Sequence, residues 1–148
     1  MKIELRAVEP SDLPVFFEHQ CDAEAAEMVG FTSRTRVAFE KHWKRIISDP
    51  QCIVMTVESD GNVVGYVSAF PRGERQEIAY WFGREHWHKG IGKNAVAQFL
   101  QMHGQRPLFA TVADTNPASS AILLRCGFTH VGEDEGPDGQ REHMFRLG

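Results

Sequence analysis

The stretch "EIAYWFGREHWHKGIGKNAVAQFL", residues 77–100, decides the fold. A strand-like run, Glu77 to Phe82, ends in a loop that sets His86 and His88 around Trp87. Gly90 and Gly92 follow, and apolar residues then recur at Ile91, Ala95, Phe99 and Met102, the spacing of one helical face. Three chemistries use such a stretch. A metal site needs about four ligands, and no second Cys or His pair in the sequence completes the His86–His88 pair. A dinucleotide turn fits G-x-G-x-x-A at Gly90 to Ala95, but there the strand feeds the first glycine almost directly, whereas residues 83–89 intervene here. The phosphate-loop pattern G-x-x-x-x-G-K-[ST] is absent, since Asn94 follows Lys93. The third chemistry is a diphosphate clamp. A helix start carries about four unpaired N–H groups and about half a positive charge. Glycines let a phosphate approach the backbone, and Lys89 and Lys93 add charge, so Trp87 to Lys93 can hold an anion. By spacing alone, a tight turn that merely needs Gly90 and Gly92 stands equally.

Working outward, Ile3 to Val8 alternates as a half-buried strand does. Ser11 or Asp12 can cap a helix carrying Leu13, Phe16 and Phe17. A polar, Ala- and Glu-rich connection follows, broken at Gly30, and then a helix with Phe39, Trp43, Ile46 and Ile47 on one face. Two β-branched runs flank Asp60-Gly61-Asn62, a strong hairpin signal. "PRGER" turns into a fourth strand over Gln76 to Phe82, and Pro107 to Ala113 reads as a fifth. Asn116-Pro117 opens a helix that Gly127 closes. Phe128 to Val131 and His143 to Leu147 are two last strands around a turn-rich, acidic segment, "GEDEGPDGQ". The order β-α-α-β-β-β-α-β-α-β-β is an α/β mixed sheet with helices on its faces.

At 148 residues, one domain over 1–148 is expected. Hydrophobic residues at 42% and charged residues at 24% are ordinary for a globular chain, which at this length needs no disulfide or metal to fold. A net charge of −4 argues against a nucleic-acid partner. Cys21, Cys52 and Cys126 form no CxxC pair and read as buried thiols. "MKIELRAVEP" lacks the apolar core of a signal peptide, and no apolar run reaches the ~20 residues of a membrane helix, so a cytoplasmic protein without a membrane partner is expected.

Taken whole, the opening stretch resembles the cofactor-binding motif of the GNAT acetyltransferases: Arg or Gln, two residues, Gly, one residue, then Gly or Ala. Gly90 and Gly92 match the last two positions. Trp87 stands where Arg or Gln is usual, a departure typical of the Rim-like branch, which includes acetyltransferases of ribosomal-protein N-termini. His88 replaces a common glycine. A second segment, "NPASSAILLRCGF", resembles the family's N-x-x-S-x-x-x-L-x-K-x-G-F element through Asn116, Ser119, Leu123, Arg125, Gly127 and Phe128.

The resemblance implies a GNAT fold, with a mostly antiparallel sheet of six to seven strands and helices on both faces. It implies acetyl-CoA (CoA) as cofactor and transfer of the acetyl group to a primary amine, a protein N-terminus or a small amine, by direct attack in a ternary complex. The implied cofactor site is Trp81, Phe82 and Gly83 at the strand end, with Phe82 N–H as oxyanion donor. Trp87, His88, Lys89, Gly90, Ile91, Gly92 and Lys93 lie at the pyrophosphate, with Asn116 and Ser119 facing the cofactor. Glu77 is the expected base that deprotonates the amine. Many relatives carry a tyrosine acid where Leu123 stands here, so Ser119 is the substitute acid. No metal is expected. Acceptor selection in this fold falls to the N-terminal helices and last hairpin, here Glu24, Glu27, Phe31, Trp43, Glu133 and Glu135, a balance that favours a cationic or amine substrate. Relatives are often dimers, so the resemblance allows a homodimer. The alternative is a non-catalytic acyl-CoA-binding sensor module.

Overall fold

The computed structural model describes residues 1–29, 33–136 and 139–148. Gly30, read as a break, and Phe31, named for acceptor selection, lie outside them. The elements run β1 (Ile3–Ala7), α1 (Leu13–Gln20), α2 (Ala23–Val29), α3 (Arg36–Ser48), β2 (Ile53–Ser59), β3 (Asn62–Arg72), β4 (Arg75–Phe82), α4 (Ile91–Met102), β5 (Leu108–Ala113), α5 (Pro117–Arg125), β6 (Thr129–Glu135) and β7 (Arg141–Leu147). One seven-stranded sheet has the order β1-β2-β3-β4-β5-β7-β6. Every pair is antiparallel except β4–β5, joined by the α4 crossover. The expected mixed sheet is therefore observed. Its β2–β3 hairpin turns at Asp60 and Gly61, whose φ values of 50° and 86° are those of a primed turn.

Two core clusters sit on opposite faces. Phe16, Phe39 and Trp43 from α1 and α3 pack with Tyr66 and Val54. The larger cluster joins Ile91, Ala95, Val96 and Phe99 of α4 and Leu123 of α5 to Val67, Ala69, Ile78 and Phe82. Alternation explains the division, because neighbouring strand residues such as Tyr66 and Val67 point to opposite faces. The apolar faces read from sequence end early, since Ile47 and Met102 are exposed.

Three expectations are corrected. The connection after α1 is a helix, α2: alanine is the best helix former, Ala25 and Ala26 are buried, and Asp22 accepts from the N–H groups of Glu24 and Ala25. The acidic segment before Gly136 belongs to β6, a sheet-edge strand exposed on nearly every residue, so it carries no apolar alternation. The cysteines are free but not buried: Cys21 is exposed, and Cys52 and Cys126 are half-buried.

Asp12 does not cap α1 with its side chain. It is 1% exposed and accepts from both Arg6 terminal nitrogens at 2.8 Å, from Glu9 N–H at 2.8 Å and from the Thr56 hydroxyl at 2.7 Å. That lock pins the start of α1 to β1 and β2.

Candidate active site

β4 and β5 pair at Glu77 and Phe109 and, among the described residues, no further along. The C-terminal half of β4 therefore has an open edge. Gly83 N–H donates to Val64 C=O at 3.0 Å, which makes residues 64 and 83 a hydrogen-bonded pair. Bonded pairs alternate in an antiparallel ladder, so Tyr80 and Phe82, opposite Val67 and Gly65, fall between them. Their N–H and C=O groups face the gap. The Trp87 indole N–H donates to Phe82 C=O at 2.9 Å, taking up one of these edge groups with a side chain.

A cleft of about 300 Å³ occupies the gap on the α4/α5 side. Tyr80, Trp81 and Phe82 line it with Trp87, His88, Gly90, Gly92 and Lys93, and with Asn116, Ser119, Ile122 and Arg125 across from them. Lys93 and Arg125 bring positive charge, and among the described residues no Asp or Glu lines it. The N-terminus of α4 points its first N–H groups outward with no side-chain cap. Among the described residues, no protein acceptor takes the N–H groups of His88, Lys89 or Gly90. Two residues here adopt left-handed backbone, His88 at φ 61° and Gly90 at φ 80°. Glycine at 92 has a packing reason, since a Cβ there would stand 2.7 Å from Ile122 Cδ1.

Of the residues the sequence assigns to the cofactor, Gly83, Lys89 and Ile91 do not line the cleft. Ile91 is 3% exposed in the core. Gly83 uses its N–H on Val64, and its bare Cα lets His19 of α1 close on the strand end, where a Cβ would lie 2.6 Å from the ring. Lys89 is exposed beside the cleft. Asn116 caps α5, its side chain accepting from Ser119 N–H at 3.4 Å.

Sequence reasoning missed Tyr80, and it counted Arg125 in the second motif without assigning it to the cofactor. The Tyr80 hydroxyl is 2.7 Å from Ser119 Oγ and donates to Ser119 C=O at 3.1 Å. Burial pushes its pKa far above the ordinary tyrosine value, and the bond to Ser119 offsets this only in part. Tyr80 is therefore a phenol throughout the working range. Its alternation with Ile78 and Phe82 reads as core, and nothing in the spacing marks its hydroxyl.

A second cavity, of about 450 Å³, lies on the α1/α3 side. Phe16, Phe39, Trp43, Tyr66, Phe70 and Trp81 give it aromatic walls. Tyr80 and Trp81 line both cavities, so the two meet at the open edge of β4. The expected acidic approach is not found in this lining. Trp43 lines the cavity, but Glu24, Glu27, Glu133 and Glu135 do not. Glu24 pairs with Arg84, and Glu133 with Arg141.

Glu77 lines neither cavity. By alternation it shares the α1/α3 face with Ala79 and Trp81, and it stands about 10 Å from Tyr80 along the strand. It is 2% exposed; Oε1 accepts from Arg72 at 3.4 Å and Thr111 at 3.3 Å. Oε2 has no hydrogen-bond partner, with an Arg75 nitrogen 3.7 Å away. The fold thus brings Ser119 to Tyr80 and leaves Glu77 apart. It also sets His86 beside His19 and Glu85, with ligand atoms within 4.8 Å of one another.

This arrangement meets a known family. Residues 2–129 match the acetyltransferase (GNAT) domain. The chain belongs to the GNAT acetyltransferase family. No curated protein matches the sequence. Among solved structures, spermidine N-acetyltransferase from Vibrio cholerae in complex with CoA and spermine is 18% identical with a TM-score of 0.83, covering 98% of this chain and 94% of that one. A GNAT-family acetyltransferase from Bacillus anthracis is 14% identical with a TM-score of 0.83, covering 99% and 95%. RimL, a ribosomal alpha-N-protein acetyltransferase in complex with coenzyme A, is 18% identical with a TM-score of 0.82, covering 98% and 93%. These likenesses show the GNAT fold. At the family's usual tyrosine position, Leu123 is fully buried in the core and cannot reach the cleft. No described helix of this GNAT chain is long and apolar enough to cross a membrane.

Proposed function

We propose that this single domain transfers an acetyl group from acetyl-CoA to a primary amine, with the cofactor in the α4/α5 cleft and the amine in the α1/α3 cavity. The observation that carries the reading is that the two cavities, on opposite faces of β4, meet at Tyr80 and Trp81. The cleft suits the cofactor's diphosphate: Lys93 and Arg125 supply charge, no carboxylate opposes it, and backbone N–H groups at the start of α4 are open. Acetyl-CoA, when bound, supplies the acetyl group as a thioester. The Phe82 and Tyr80 N–H groups then offer donors in the gap, where negative charge develops on an oxygen in acyl transfer.

The Tyr80–Ser119 hydroxyl pair sits at the junction and offers a hydrogen bond to the departing sulfur. A thiol pKa of ~8.5 means that such a bond suffices there. Glu77 Oε2, a buried acceptor without a hydrogen-bond partner on the acceptor-side face, takes the amine proton through water. Trp87 at the usual Arg or Gln position supports the Rim-like branch. It is not a bare substitution, because its indole holds the strand-edge carbonyl of Phe82.

CoA raises the unfolding temperature and NAD does not; a ligand at 100-fold over its Kd adds roughly 3 kcal/mol. With an amine panel and thiol release as readout, Glu77→Gln lowers kcat at least ten-fold while the CoA shift persists. Thiol release with no amine, beside a normal CoA shift, would instead favour a non-catalytic acyl-CoA sensor.

A further inference from the structure

The last hairpin gathers metal-ligating side chains away from both cavities. His130 stands opposite Phe145, and Gly132 stands opposite Met144, so Val131 is an extra residue in β6. An unbroken strand would turn residues 130 and 133, three apart, to opposite faces. The bulge returns Glu133 to the face of His130, and Glu133 pairs directly with His143 of β7. His130 is held there between rings, its centroid 5.1 Å from His143 and 5.2 Å from Phe145. None of His130, Glu133 and His143 lines either cavity.

Asp114, just after β5, fixes the orientation of His143. Its Oδ1 lies 2.6 Å from His143 Nε2. An ionised carboxylate only accepts, so Nε2 carries the N–H. A carboxylate behind a histidine in this way orients the ring and leaves its other nitrogen for a metal. That nitrogen, His143 Nδ1, is 3.2 Å from His130 Nε2 and 3.6 Å from Glu133 Oε1. The three atoms all lie within 4.8 Å of one another. Glu133 keeps Oε2 for Arg141, at 3.4 Å. A proton on Nδ1 can serve one of its two neighbours at a time, whereas a metal ion takes all three. Zinc with ligands at about 2.0–2.1 Å sets tetrahedral corners about 3.3–3.4 Å apart. The two resolved spacings fall within a few tenths of an ångström of that edge, and rotation of the exposed Glu133 side chain can close the third. Two imidazoles and one carboxylate are a donor set that zinc takes, with its fourth position left to water.

We propose that His130, Glu133 and His143 bind a zinc ion that ties the sheet-edge strand β6 to β7, with Asp114 as the positioning residue. Sequence spacing hides the set, because its ligands stand three and ten residues apart on two strands.

The full chain, stripped with a chelator, is titrated with zinc by calorimetry in a buffer without phosphate. One equivalent binds and raises the unfolding temperature, and magnesium does neither. His143→Gln and Glu133→Gln weaken the zinc Kd by roughly ten-fold or more, and Asp114→Asn by roughly ten- to hundred-fold. The CoA-induced thermal shift confirms that each variant is folded. Nitrogen NMR of the wild-type histidine rings shows zinc on Nδ1 of one ring and Nε2 of another, a readout that needs no variant to fold. No saturable binding overturns the proposal, as does a loss smaller than ten-fold in His143→Gln. Several equivalents of equal affinity overturn it too, since that is the behaviour of scattered surface histidines. Affinity lost in His86→Gln and kept in His143→Gln would place the metal at His19, Glu85 and His86 instead.

Discussion

The two cavities that share Tyr80 and Trp81 are built on different principles. The cleft proposed for the cofactor draws most of its lining from two short stretches, residues 80–93 and 116–125, and the groups proposed to hold the diphosphate are largely backbone N–H groups at the start of α4. The cavity proposed for the acceptor draws on α1, α3, β2, β3, β4 and the segment before α3, and it is lined by side chains. A backbone site survives many substitutions as long as the turn is kept. A side-chain site changes with each residue.

The largest effect belongs to the acceptor side, at the lock that fixes α1. Asp12→Ala strips four hydrogen bonds from a residue 1% exposed and leaves the Arg6 side chain, 29% exposed, with Glu58 and Glu9 as its remaining carboxylates. Breaking such a pair costs about 3–5 kcal/mol, read by denaturant unfolding. Because α1 walls only the acceptor cavity, the acceptor KM rises and the CoA KM holds. If both KM values rise together, the two sides are not independent. The same lock sets an acid limit. Burial alone would raise the Asp12 carboxyl, but Arg6, the Glu9 N–H and Thr56 outweigh it and hold it below its ordinary value. A depressed carboxylate pKa contributes stability in full above its unfolded value, ~3.9, and loses it as pH falls towards the folded value. Wild type therefore loses stability below about pH 4 along a steeper limb than Asp12→Ala.

Next comes the junction itself. Tyr80→Phe keeps the ring and removes the hydroxyl 2.7 Å from Ser119 Oγ. We expect kcat to fall roughly hundred-fold, the lower end of the range for a positioned proton-bearing group, with the CoA-induced thermal shift retained. Ser119→Ala falls less, and the double variant adds little to Tyr80→Phe, because the two hydroxyls act as one pair. A double variant whose losses multiply would show that Ser119 reaches the sulfur separately.

The contrast also sets what was legible in sequence. The lining of the α4/α5 cleft was readable because a helix start with glycines at fixed spacing is local chemistry; Trp81, Phe82, Trp87, His88, Gly90, Gly92, Lys93, Asn116 and Ser119 all line it. Residues counted in from the same run, Gly83 and Ile91, instead serve packing against His19 and the core, a distinction that only the folded neighbours make. The strand and helix order followed from periodicity, and the exceptions have physical reasons. α2 is short and mostly alanine and acid, with no apolar stripe to count, and β6 is a sheet edge. On the acceptor side, Trp43 was found, but the acidic residues meant to select an amine lie elsewhere. Arg34 and Arg45 went unremarked because nothing in their spacing brings them to one cavity. Tyr80 was hidden by its own alternation.

The smallest effect tests the backbone principle at its oddest residue. His88 holds φ 61°, a region that favours glycine, and Gly90 holds φ 80° two residues on. Gly90→Ala puts a side chain into that region, costing roughly 1–2 kcal/mol. Nothing lies within 4 Å of the added Cβ, so the loss is conformational and not a clash. His88→Gly does the reverse: it relieves a similar strain but returns about 0.5–1 kcal/mol of backbone entropy to the unfolded chain. The two terms nearly cancel, and the unfolding free energy moves by less than about 1 kcal/mol. The cofactor should not notice His88→Gly, because the main-chain N–H at 88 remains and the His88 side chain is exposed. Calorimetric titration of His88→Gly with CoA decides it. A Kd within about three-fold of wild type keeps the cleft a backbone site. A Kd weakened ten-fold or more would mean that the imidazole itself holds the cofactor, and the two cavities would then differ less in kind than in which residues they recruit.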